Sequence, residues 1–140
     1  MPFWEIIFAL ILAGLLGAIL GFQRESSGKA AGMRTFSLVS VGAALFTMLS
    51  KFGFESDMTD PSRIASYITV GVGFIGAGVI MKGKADHVVG LTTAAGLWVV
   101  AAIGLTVGAG WYATAIVTTL LALLIFYIDD DWIRKNILGK

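Results

Sequence analysis

Five apolar runs, residues 3–22, 34–52, 63–82, 91–108 and 111–128, take up 95 of the 140 positions and leave only short polar connections between them. A helix needs about 20 mostly apolar residues, at about 1.5 Å rise each, to cross a hydrocarbon core about 30 Å thick. Each run is close to that length. Inside a bilayer no water satisfies exposed N–H and C=O groups, so runs of this kind close their hydrogen bonds within themselves as helices. The pattern predicts an all-α membrane protein, a compact bundle of five transmembrane helices. A mean hydropathy of +0.88 agrees. Residues 1–140 read as one domain, because no long linker and no internal repeat interrupts them.

The charges set the expected orientation. Of the ten Lys and Arg residues, eight flank the first and third connections or lie in the tail: Arg24, Lys29, Arg34, Lys82, Lys84, Arg134, Lys135 and Lys140. Lys51 and Arg63 flank the second connection, beside Glu55, Asp57 and Asp60. The positive-inside rule places the eight-base side in the cytoplasm. The N-terminus is then outside and the C-terminus inside, as an odd number of spans requires. Met1-Pro2-Phe3-Trp4-Glu5 carries no basic n-region, so the first span is expected to stay as an anchor rather than be cleaved. The chain has no cysteine, which rules out disulfides and thiolate metal sites. A net charge of +1 without a basic, aromatic stripe gives nucleic acid nothing to hold.

The connections carry their own signals. Residues 23–33 form a polar, glycine-bearing loop, after which Arg34-Thr35 opens the second helix. In the 53–62 loop Asp60 can cap the next helix and Pro61 suits its first position. Residues 83–90 are a loop leading to Leu91-Thr92-Thr93. Residues 91–128 as one helix would be about 57 Å long, too long for one crossing. A break is therefore expected at Gly108-Ala109-Gly110, with Trp111 and Tyr112 at headgroup level. Tyr127 and Trp132 bracket Asp129-Asp130-Asp131, which marks an exit from the membrane.

Eighteen glycines are about twice the usual share, and they cluster inside spans. Lipid tails give helices little hydrophobic reason to associate, so small residues that let backbones approach become the packing device. Gly17 and Gly21 form a GxxxG pair in the first span, Gly71, Gly73, Gly76 and Gly78 punctuate the third, and Gly104 and Gly108 close the fourth. Tight packing is the favoured role, with Gly76 in a close helix contact. The minor reading makes the third helix a central element weak enough to hinge. The ridge Ala13-xxx-Gly17-xxx-Gly21 offers a surface for a homodimer, or for the third helix of the same chain.

Two apparent nucleotide motifs fail on context. Gly71-Val72-Gly73-Phe74-Ile75-Gly76 matches G-x-G-x-x-G, but that fingerprint needs a strand-to-helix turn in a βαβ unit. Gly28-Lys29 lacks both the following Ser/Thr and the leading glycine of a P-loop. Carriers and pumps place Asp, Glu or His within their spans, whereas here Glu5 and Glu25 sit at helix ends and the other acids, with His87, in loops. Mid-span polarity is limited to hydroxyls such as Ser40, Thr47 and Thr69. Magnesium prefers carboxylates and retained waters; Glu55, Asp57 and Asp60 are candidates, with solvation the favoured role, and the metal question stays open. No nucleophile–base pair is present, so no enzyme and no cofactor are expected. In the N-out arrangement the second and fourth helices both start at the cytoplasmic surface, where helix N-termini suit anions. Arg34-Thr35 and Thr92-Thr93 stand at those starts. Contact with anionic headgroups is the favoured role, and a small pocket for a phosphate-like ligand or an acidic segment is the alternative.

Several blocks occur in a specific order: Gly21-Phe22-Gln23-Arg24-Glu25, Ala31-Gly32-Met33-Arg34-Thr35, Asp60-Pro61-Ser62-Arg63, Gly71 to Gly78, and Gly90-Leu91-Thr92-Thr93-Ala94-Ala95, followed by Trp98. Together, from about residue 10 to 125, they resemble the MgtC/SapB family of bacterial inner-membrane proteins. The resemblance implies a five-helix bundle and a role in growth under low magnesium, including survival of pathogens in macrophages. It further implies a regulator that restrains the F-type ATP synthase, with effects on phosphate and membrane potential, rather than the Mg²⁺ transporter first inferred for such proteins. Its motif residues here are Arg24, Glu25, Arg34, Thr35, Asp60, Arg63, Thr92, Thr93 and Trp98. Longer members carry a soluble cytoplasmic domain after the last helix, where this chain has twelve residues after residue 128. Many virulence-linked members have Asn at the position of Thr92. The expectation is a non-enzymatic, multi-pass inner-membrane regulator that meets lipid, a second copy of itself or another membrane complex; a small Mg²⁺ or phosphate transporter is the runner-up.

Overall fold

A computed structural model of the chain describes residues 2–53, 60, 62–82 and 88–128. Its helices are α1 (Phe3–Ser26), α2 (Met33–Phe52), α3 (Ser62–Val79), α4 (Leu91–Gly108) and α5 (Tyr112–Tyr127). The architecture is all-α, and α1 to α4 are each long and apolar enough to cross a membrane. With 16 residues, α5 spans about 24 Å and is shorter than the 111–128 run implied. Glu55, Asp57, Pro61, Lys84, His87, the Asp129–Asp131 exit and the tail bases lie outside the described residues.

Two boundaries differ from the sequence reading. α1 continues past residue 22 to Ser26, because its buried stripe does. Ala9, Ala13, Leu16, Gly17, Leu20 and Gly21 recur every three or four residues, and Gln23 and Arg24 are the next positions on that stripe. α3 stops at Val79 rather than 82. Beyond it a minimal strand pair forms, β1 (Met81–Lys82) against β2 (Val88–Val89), with Met81 opposite Val89 and Lys82 opposite Val88. β1 thus takes the end of the expected third helix, and β2 lies in the 83–90 segment expected to be plain loop. Between α4 and α5 the backbone turns at Gly108-Ala109-Gly110. The Ala109 and Gly110 N–H groups donate to the Leu105 and Val107 carbonyls at 2.9 Å. Gly110 takes φ 89°, a left-handed conformation that costs glycine little.

The core is one apolar cluster drawn from all five helices, and α4 is its axis. α4 packs against each of the other helices, and its buried residues, among them Leu97, Val100, Ile103 and Val107, recur every three or four positions along one broad face turned to the core. Glycines set the separations. A Cβ on Gly17 would stand 2.7 Å from the Phe36 carbonyl oxygen, and one on Gly21 2.5 Å from the Met33 Cα. Cβ atoms on Gly104 and Gly108 would strike the carbonyl oxygens of Ser40 and Ala44. α1 and α4 therefore both lie backbone-close to α2. Each atom pair gained that way is worth only about 0.1–0.2 kcal/mol, so it is the length of the seam that counts.

That seam corrects one expectation. The Ala13-Gly17-Gly21 ridge is covered by α2, and is neither free for a second copy nor engaged with α3. The third helix also differs from its reading. α3 is peripheral, with only Val72 and Gly76 buried. Cβ atoms on Gly71, Gly73 and Gly78 would meet nothing within 4 Å among the described residues. Gly76 faces Ala94, with Cβ-to-Cβ room at 3.6 Å, an ordinary contact rather than a tight one. The glycines of α3 keep a smooth, open helix face, whereas those of α1 and α4 hold the bundle together.

Candidate functional site

At one end of the bundle α1 finishes, α2 and α4 begin and α5 finishes. Gly90 sets the start of α4. It has φ 94°, and a Cβ there would strike the Val79 carbonyl, so the residue has to be glycine. Its own carbonyl accepts the Ala94 N–H at 2.9 Å. In the turn so placed, Thr92 faces outward and Thr93 is buried.

The last turn of α1 brings Arg24 to Thr93. Arg24 is only 4% exposed. Its Nη2 donates to Thr93 Oγ1 at 3.3 Å, and the guanidinium lies 4.6 Å from the centre of the Phe126 ring. Beside it, Gln23 Nε2 donates to the Phe126 carbonyl at 3.3 Å and to Ser27 Oγ at 3.3 Å. Two side chains of α1 thereby fasten α4 and α5.

The electrostatics are unbalanced. A buried charge is costly unless paired and hydrogen-bonded. A hydroxyl and an aromatic face supply about 1–3 kcal/mol each, and neither neutralises charge. Among the described residues no carboxylate pairs with Arg24. Its Nε is buried without a hydrogen-bond partner among the described residues, and so is Gln23 Oε1. These side chains line a pocket of about 560 Å³ with Ser27, Lys29, Thr92, Phe126 and the apolar Ile125, Tyr127 and Ile128.

The neighbouring start of α2 is arranged differently. Glu25, exposed on α1, accepts the Met33 N–H at 2.9 Å, so a carboxylate already answers the positive end of that helix. Glu25, Lys29, Arg34 and Thr35 line an adjoining hollow of about 420 Å³. Of the two helix starts singled out as anion sites, the α2 end is thus answered from within the chain, and the α4 end has gained a buried arginine.

Asp60 and Arg63 lie at the other end. Asp60 Oδ1 accepts from Ser62 N–H at 2.9 Å and Ser62 Oγ at 2.7 Å. Those bonds, the hydroxyl's first and then the amide's, hold its carboxyl below the usual carboxylate range. Arg63 is exposed on the first turn of α3. Lys51 Nζ donates to the Ala109 carbonyl at 3.2 Å, a favourable place for a cation at the end of α4. Trp98 is half exposed on α4 and is remote in sequence from both ends of that helix. The structure therefore joins Arg24, Thr92 and Thr93, sets Glu25, Arg34 and Thr35 beside them, and leaves Asp60, Arg63 and Trp98 apart. Gln23 and Phe126 complete the cluster and were not singled out from the sequence. Gln23 had a signal, being three residues past Leu20 on the buried stripe; Phe126 had none.

Comparison with known proteins supplies the relatives. The model of the MgtC family matches residues 10–134. The Escherichia coli K12 protein named "Putative magnesium transporter YhiD" is 46% identical over 132 residues, covering 88% of this chain and 61% of that protein. "Protein SrpB" of Synechococcus elongatus is 39% identical over 131 residues, covering 84% of this chain and 70% of its own length. "Protein MgtC" of Brucella abortus is 44% identical over 119 residues, covering 84% of this chain and 49% of its own. The chain thus spans between 49% and 70% of the length of these relatives. No solved structure matches it significantly.

Proposed function

The chain belongs to the MgtC family of multi-pass bacterial membrane proteins, and from that premise we propose that it is a non-enzymatic regulator of adaptation to low magnesium. It acts in the inner membrane on ion and energy homeostasis, through contact with another membrane complex, for which the family resemblance nominates the F-type ATP synthase. The observation that carries this reading is the closed centre of the bundle. Leu20, Phe36, Leu97, Val100, Ile103 and Val107 are fully buried there, and glycine-mediated seams bring α1 and α4 against α2. A hydrated ion crossing such a centre would meet buried apolar side chains and closely approaching helix backbones. The polar apparatus, Arg24 with Gln23 and Thr93, sits at one end, where it can meet a ligand or a partner.

Purified protein reconstituted alone into liposomes tests the reading against the transporter suggested by the name of YhiD. Fluxes of Mg²⁺ and of phosphate equal to those of empty liposomes are expected. ATP-driven proton pumping by vesicles containing the synthase should fall when the protein is added. A saturable flux of either ion would replace the regulator with a transporter, and unaltered pumping would remove the synthase as the partner.

A further inference from the structure

We propose that the pocket around Arg24 is a binding site for a phosphate-class oxyanion. Arg24 brings a buried positive charge that no carboxylate among the described residues balances, and a guanidinium matches the oxygens of a phosphate in shape as well as charge. Lys29 adds a second cation on the same pocket wall. The pocket also opens on the start of α4, an 18-residue helix, through Thr92. The first N–H groups of a helix have no intrahelical acceptor and favour an anion. At α2 the chain provides that anion itself, as Glu25 on the Met33 N–H; at α4 it provides Arg24 instead. A cation placed at the positive end of a helix is unfavourable on its own, and an oxyanion between them reconciles the two.

The shape of the pocket fits a phosphate bearing a further group. Its polar wall, Gln23, Arg24, Lys29 and Thr92, is continuous with Ile125 and Ile128, both exposed, along the end of α5. Free inorganic phosphate and the phosphodiester of an anionic lipid share the recognising chemistry, and the experiment separates them. The proposal stands apart from the regulator reading, because binding is measured with neither flux nor synthase present.

The whole chain, purified and delipidated in mild detergent, is titrated with inorganic phosphate against chloride at matched ionic strength, with bound phosphate measured by equilibrium dialysis. In parallel, phosphatidylglycerol and phosphatidylethanolamine are offered, and bound lipid is counted by native mass spectrometry. Saturable phosphate binding identifies the free ion. Retention of phosphatidylglycerol over phosphatidylethanolamine, without phosphate binding, identifies the headgroup. In either case Arg24→Lys and Lys29→Ala should weaken binding by about tenfold or more, the scale of one charge-assisted hydrogen bond. Thr106→Val, whose hydroxyl is bonded within α4 to the Ala102 carbonyl, should leave binding unchanged. If Arg24→Lys does not fold, the exposed Lys29→Ala and Thr92→Val carry the test. Binding of neither probe, or binding that ignores both Lys29 and Thr92, overturns the proposal.

Discussion

Gly21 and Gly71 are the same residue in the same kind of apolar helix, yet their surroundings differ in a way that decides what a substitution does. A methyl group on Gly21 meets the backbone of Gly32 and Met33, at 2.5–2.9 Å. Backbone cannot rotate away as a side chain can, so α1 and α2 have to separate along the seam. Overpacking of this kind typically costs about 1–3 kcal/mol, and Gly21→Ala should lower the melting temperature in detergent accordingly. On Gly71 the same methyl meets nothing among the described residues while removing the conformational freedom of glycine. Gly71→Ala should therefore be neutral or stabilising by up to about 1 kcal/mol. Circular-dichroism melts of both variants decide the matter; equal losses would mean that the face of α3 bearing Gly71 is covered in the intact protein. Gly76 is intermediate, since Ala94 leaves room for a methyl and no more.

At the scale of helices, α4 and α3 are the extremes. Half of α4 is buried, against 11% of α3, although the two are equally long. Local opening is cheapest where few buried contacts have to be given up. Amide hydrogen exchange in lipid nanodiscs should therefore run faster in α3 than in α4, by at least about tenfold at matched depth, since roughly 1.4 kcal/mol of opening free energy suffices for that. Equal protection would show that α3 has a partner that this chain alone does not provide. The difference was not legible in the sequence, where both segments are apolar and glycine-bearing. What was legible followed from length and hydropathy: the helical class, the positions of the helices and the turn at Gly110. The end of α1 was missed because Gln23 and Arg24 are polar, and polarity was read as an exit from the helix rather than as a continuation of its buried stripe. The β1–β2 stem was missed because strands of two residues leave no periodicity to read. Arg24, Thr92 and Thr93 stood out as motif residues, but Arg24 meets Thr93 across 69 positions and its neighbour Gln23 meets Phe126 across 103, and only folding brings these together.

For the molecule as a whole, the direction in the membrane decides what its ends can meet. Arg24 and Lys29 stand at the end where α4 begins, and Asp60, Arg63 and Lys51 at the opposite end. Eight of the ten basic residues belong, by their place in the sequence, to connections on the Arg24 side. Moving that side across a bilayer is disfavoured, and a bias of eight to two within short loops is the kind that sets orientation. That orientation predicts that the Arg24 pocket opens to the cytoplasm, where phosphate is available and where the leaflet is rich in anionic headgroups, and that Asp60 faces outward. The chain has no cysteine, so single introduced thiols report without background. Ala30→Cys, exposed between α1 and α2, should resist a membrane-impermeant thiol reagent added to intact spheroplasts and react once the membrane is opened. Ser56→Cys, in the second connection, should react in both conditions. The reverse pattern would turn the protein over, place the Arg24 pocket outside, and make an external anion the one it meets. Reaction of both thiols in intact spheroplasts would instead mean that the number of crossings between residues 30 and 56 is even, and that α2 does not span.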